Sequence, residues 1–88
     1  MAPRTDSELS CRALALLRVV AAGRAEITCS SEPDMFVDGV PCCDQYTAHA
    51  LARRGLVVQT GPAELGKRVR ARLTPAGVAA LGVVGEAA

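Results

Sequence analysis

Residues Leu51–Gly77 read LARRGLVVQTGPAELGKRVRARLTPAG, and the periodicity within them changes twice. Leu51, with Ala48 before it and either Thr47 or Ala50, lies on one stripe at helical spacing, and Gly55 ends that pattern. A helix is therefore predicted over 43–54, capped by Asp44 or a cysteine before it. "LVVQT" has the β-branched character of a strand and "GPAELG" that of a loop. "KRVRARL" then alternates strictly, with Val69, Ala71 and Leu73 on one side and Arg68, Arg70 and Arg72 on the other. The stretch predicts an antiparallel hairpin with one arginine-lined face. Thr74 as cap and Pro75 at the first helical position open a last short helix, with Leu73, Val78 and Leu81 expected to point back to the core.

Toward the N-terminus, Thr5 and Glu8 have capping-box spacing. Leu9, Ala13, Leu16, Leu17 and Val20 follow on one stripe, with Arg12 and Arg18 off it and Gly23 as a stop. This predicts a helix over 7–22. Ile27, Thr28 and Cys29 can form a brief strand. Between Ser30 and Asp44, a possible serine cap and Pro33 allow one short helix, while Asp38-Gly39 equally allows a tight hairpin. The expected organisation is a tail over 1–6, one domain over 7–84 and a tail over 85–88.

Eighty-eight residues, 50% of them apolar, suffice for one core. Phe36 and Tyr46 are the sole aromatics, which argues against stacking unpaired bases. The longest apolar run, Ala13–Leu17, is far short of the ~20 residues of a membrane span, and "MAPRTDSELS" lacks a signal-peptide pattern. No membrane association and a cytoplasmic location are expected, with the four cysteines reduced. Residues 1–44 carry four Arg against seven Asp and Glu, and residues 45–88 carry six basic side chains against two acidic ones. The net +1 thus divides into about −3 and +4, and a surface of one sign is expected to face a partner.

The order of elements and the residues Leu51, Gly55, Leu56, Val57, Leu73, Thr74 and Gly77 resemble the winged-helix bacterial transcription regulators of the multiple-antibiotic-resistance and PadR types (MarR/PadR-like). There a Gly-Leu-Val helix exit, a basic wing and a Leu-Thr-x-x-Gly helix start recur, and here the likeness is best over Leu51–Leu81. The resemblance implies an α+β, mostly α fold. Its single winged-helix domain would have a three-helix core, a two- or three-stranded antiparallel wing sheet and a short C-terminal helix. Between Ser30 and Asp44 the chain departs from the family pattern, because Asp38 stands where an apolar residue would precede the turn glycine.

The function so implied is sequence-specific binding of double-stranded DNA by a transcription regulator, with helix 43–54 in the major groove and the arginine-rich wing 60–72 on the backbone. Gln45, Tyr46, His49 and Arg53 would face the bases, and Lys67, Arg68, Arg70 and Arg72 the phosphates. The plain alternatives are a solvated helix face and a charged edge strand that resists aggregation. A homodimer is expected, with Leu14, Val19 and the apolar "VAALGVV" as its surface. A second function class is a protein–protein interaction module that docks a partner on its acidic 26–38 segment and binds no DNA.

Cys42 and Cys43 are adjacent, which is not the spacing of a zinc half-site, and His49 is seven residues along the same predicted helix from Cys42. A metal would need Cys29 together with Cys42 and Cys43. Small structural side chains are the simpler reading, with Cys43 packed inward near Thr47 and Cys42 partly exposed. Thiol-based sensing of oxidant or metal is a further alternative. No catalytic constellation and no cofactor motif is present, so no enzyme activity is expected.

Overall fold

The computed structural model describes residues 10–85. Along the chain run α1 (Cys11–Ala21), β1 (Ala25–Thr28), β2 (Met35–Val37), β3 (Val40–Pro41), α2 (Gln45–Arg53), β4 (Val57–Gln59), β5 (Arg68–Leu73) and α3 (Pro75–Gly85). All strand pairs are antiparallel, and the strands form one sheet in the order β3-β2-β1-β5-β4. This corrects the expectation of a mostly α domain with a three-helix core and a small wing sheet. The sheet has five strands, and the chain between β1 and α2 contains no helix.

The reason lies in the Met35–Pro41 segment. Asp38 and Gly39 take φ of 52° and 84°, both in the left-handed region that a tight two-residue hairpin turn demands. Phe36 and Val37 favour extended backbone, and Val37 pairs with Val40 across the turn. The Arg24 guanidinium holds Asp38 through three hydrogen bonds of 2.7–3.2 Å. Of the two alternatives open for this segment, the hairpin forms.

Both α1 and α2 end in the same way. The Arg24 amide donates back to Val19 at 3.2 Å and that of Gly23 to Val20 at 3.0 Å, while Leu56 donates to Leu51 and Gly55 to Ala52, each at 3.0 Å. Each closure needs a residue with positive φ, and Gly23 (79°) and Gly55 (73°) supply it. At its start α1 is shorter than predicted. Ser10 is extended, and its Oγ accepts from the Ala13 amide at 3.1 Å, so the cap sits there. The Thr5–Glu8 capping box and Leu9 lie outside the described residues.

One face of the sheet is covered. Ala13, Leu16, Leu17 and Val20 of α1, and Ala48 and Leu51 of α2, pack on Ala25, Ile27, Met35, Val57 and Ala71. Leu14 and Val19 also pack partly against this core, because α1 meets both other helices as well as the sheet. They do not form the free outer stripe expected of a dimer surface. The opposite face of the sheet is open and carries the alternate side chains Phe36, Glu26, Thr28, Arg68, Arg70 and Arg72.

The last helix is locked to the exit of α2. Thr74 donates its hydroxyl to the Gly55 carbonyl at 2.6 Å, accepts from the Gly77 amide at 3.0 Å, and gives its own amide to Leu56 at 3.0 Å. Gly77 is buried at this joint, and a Cβ there would collide with the Leu56 carbonyl. Ala80 and Leu81, three and four residues on, therefore face the core with Leu73. Val78 turns outward and is 57% exposed, contrary to its expected inward position.

Candidate nucleic-acid interface

Strand alternation places Arg68, Arg70 and Arg72 on the open sheet face, exposed, while Val69, Ala71 and Leu73 face the helices. At ~3.4 Å rise per residue, successive guanidinium stems leave the strand ~7 Å apart. β5 is paired on both sides, by β1 and by β4. It is therefore an interior strand, and protection of a sheet edge does not account for its arginines. Nor is the hairpin a free-standing wing. The Cys29 amide donates to the Lys67 carbonyl and that of Gly66 to the Cys29 carbonyl, both at 2.9 Å, which ties the β4–β5 loop back to the end of β1.

The charges on this face are unbalanced. Glu26 lies opposite Arg70 in register, yet its carboxylate is 3.8 Å from Arg68 Nε, a loose pair. The Arg68 guanidinium also sits 4.5 Å from the centre of the Phe36 ring. Among the described residues, no carboxylate lies within ion-pair range of Lys67, Arg70 or Arg72.

The α2 residues tell a different story. Gln45 accepts from the Met35 amide at 2.8 Å and donates to the carbonyls of Met35 (2.9 Å) and Cys42 (2.7 Å). Its amide is spent on clamping the β2–β3 hairpin to α2 and is not offered to a base. At the first helical position a side chain leans back over the chain before the helix, and that was the available signal. Tyr46 is 80% exposed. His49 Nε2 is 2.8 Å from Asp34 Oδ1, and Arg53 donates to Glu32 Oε2 at 3.0 Å.

His49 and Arg53 thus point at an acidic turn, while Arg70 and Arg72 lie on the open face. The turn that carries these acidic residues adjoins the Arg68 end of β5. There Thr28, in register with Arg68, exchanges hydrogen bonds with Asp34, its amide donating at 3.0 Å and its hydroxyl accepting at 2.9 Å. The acidic segment offered as a docking surface is itself engaged: Glu26 with Arg68, Glu32 with Arg53 and His49, Asp34 with His49, and Asp38 with Arg24.

Asp44 caps α2, its carboxylate accepting from the Thr47 hydroxyl at 2.7 Å and the Thr47 amide at 3.1 Å. These bonds, chiefly the hydroxyl, hold Asp44 below the usual aspartate range, and Arg12 at 3.6 Å adds to the effect. Of the preceding cysteines, Cys42 is partly exposed as expected, but Cys43 does not pack inward. Cys42 packs partly against the core, because its amide donates to Met35 in the hairpin and turns it inward, whereas Cys43 is exposed. Cys29 gives its thiol to the Ala63 carbonyl at 3.2 Å. Among the described residues no group of three or more His, Cys, Asp or Glu side chains is placed to hold a metal ion. No helix of the described residues is long and apolar enough to cross a membrane. Compared with known proteins, the chain matches no family model, no curated protein and no solved structure.

Proposed function

We propose that the chain is a small double-stranded-DNA-binding transcription regulator whose affinity comes from the arginine face of β5. The observation that carries this reading is the row Arg68, Arg70 and Arg72 on an open, interior strand beside Lys67, in which Arg70 and Arg72 make no ion pair among the described residues, although Glu26 and Asp38 border the same cleft as Arg70. Guanidinium groups ~7 Å apart match the repeat of phosphates along a nucleic-acid strand, and each donates two parallel hydrogen bonds to phosphate oxygens. Such contacts position a protein on a duplex without reading its sequence. Base discrimination falls to Tyr46 and to whichever of His49 and Arg53 can leave their acidic partners. The acidic segment's internal pairing leaves it little charge for a basic partner, so the interaction-module reading gains no support.

A second copy remains part of the proposal. Helix α3 has no charged residue from Pro75 to Gly85, and a groove of about 420 Å3 between it and α1 is lined by Arg18, Ala21, Leu73, Val78, Leu81 and Gly82. A dimer would double the phosphate contacts. Polarisation of labelled duplexes cut from genomic DNA tests the function. Binding by the wild type, weakened at least tenfold in folded Arg70→Ala, Arg72→Ala protein, is expected; equal binding by both contradicts it.

A further inference from the structure

The turn between β1 and β2 carries Glu32 and Asp34 and reaches across to α2. Glu32 bridges Arg53 Nη1 (3.0 Å) and His49 Nδ1 (3.8 Å), and Asp34 takes His49 Nε2 at 2.8 Å. On its other side the turn borders Lys67 and Arg68, through the Cys29–Lys67 hydrogen bond and the Thr28–Arg68 register. Two carboxylates therefore stand between two pairs of basic side chains. Were they absent, His49 and Arg53 would lose these carboxylate partners at the end of the molecule where the β4–β5 loop also brings Lys67 and Arg68.

We infer that this turn is an autoinhibitory strap: Glu32 and Asp34 occupy, in place of DNA phosphate, the side chains of α2 that would otherwise extend the binding surface. The inference rests on the DNA reading above. Three features fit a strap that can be displaced. Ser30, Ser31, Glu32 and Asp34 are all exposed, so lifting them uncovers little apolar surface. A cleft of about 270 Å3 lies between Ser30, Ser31 and Pro33 on one side and Ala52, Arg53 and Val57 on the other, so the middle of the turn is not tightly packed on α2, to which Glu32 links it by ion pairs. Asp34 is pinned at the backbone by Thr28, which leaves the Ser30–Pro33 turn and the two carboxylate side chains as the moving parts. Exposed ion pairs are weak in water, and a phosphate that brings more charge can replace them.

The test compares duplex-DNA affinity of the full chain with that of Glu32→Gln and of Asp34→Asn, each checked for an unchanged circular-dichroism spectrum. Glu64→Gln, a loop carboxylate outside the strap, controls for net charge. The strap predicts a gain of about three- to fivefold for Glu32→Gln, a gain of under twofold for Glu64→Gln, and loss of the first gain in an Arg53→Ala background. Asp34→Asn should behave alike, with His49→Ala as its cancelling partner. Equal gains from Glu32→Gln and Glu64→Gln, or a gain that survives Arg53→Ala, overturn the strap. If the wild type binds DNA through Arg70 and Arg72 and neither strap variant binds more tightly, the strap falls and the DNA reading stands. If no variant binds, both fall.

Discussion

The hydroxyl of Thr74 donates to the carbonyl of Gly55 at 2.6 Å, joining the cap of the last helix to the exit of the one before. The bond pairs two pieces of sequence nineteen residues apart, Gly55-Leu56 and Thr74-Pro75-Ala76-Gly77. It accounts physically for the co-occurrence of a Gly-Leu-Val helix end and a Leu-Thr-x-x-Gly helix start. Gly77 is required because its α-carbon lies against the Leu56 backbone.

Gly77→Ala should therefore destabilise the domain by about 3 kcal/mol or prevent folding, since a backbone carbonyl cannot move aside as a side chain can. Gly82, in the same helix, has nothing within 4 Å of an added Cβ. Gly82→Ala should stabilise by about 0.5–1 kcal/mol through helix propensity. Chemical denaturation of the two variants measures both signs; a neutral Gly77→Ala would contradict the joint.

Acid should weaken the fold through Asp44 and Asp38. Both are held below the ordinary aspartate value of 3.8, Asp44 chiefly by the Thr47 hydroxyl and Asp38 chiefly by Arg24. With folded values depressed, the stability they contribute is fully present above that ordinary value and is lost as pH falls through the folded ones. The thermal midpoint should be level in this respect near neutrality and decline below about pH 4. Asp44→Asn should flatten part of that decline and lower the neutral-pH midpoint by a few degrees.

Thiol labelling should separate the cysteines. Cys11 and Cys43 are exposed, while Cys42 packs on the core and Cys29 is hydrogen-bonded to Ala63. Mass spectrometry after brief alkylation should find Cys11 and Cys43 modified well ahead of Cys29 and Cys42. A chelator should leave both the labelling order and the thermal midpoint unchanged; protection of Cys43 that the chelator removes would show a metal clasp.

Legibility in the sequence followed the strength of the local code. The alternation of Val69, Ala71 and Leu73 with three arginines, the inward stripe of Ala13, Leu16, Leu17 and Val20, and the glycine ends of α1 and α2 could be read residue by residue. The Asp38-Gly39 turn was visible as one of two options, and choosing between them depends on β2 pairing with β1, whose other side is filled by β5 from far along the chain. The same long-range pairing makes β5 an interior strand, which its own six residues do not disclose. For the site, the arginine row was legible. The engagement of Gln45, His49 and Arg53 was not, since their partners Met35, Asp34 and Glu32 come from the segment whose conformation was left open.

If DNA phosphates meet the β5 arginines, binding must weaken with salt in proportion to the number of phosphates they neutralise. Each neutralised phosphate releases close to one counterion, so the slope of log K against log salt should be smaller in magnitude by about two in Arg70→Ala, Arg72→Ala protein than in the wild type. A slope and affinity unchanged in the folded double variant, or no salt-dependent binding of duplex DNA by the wild type, would contradict the account.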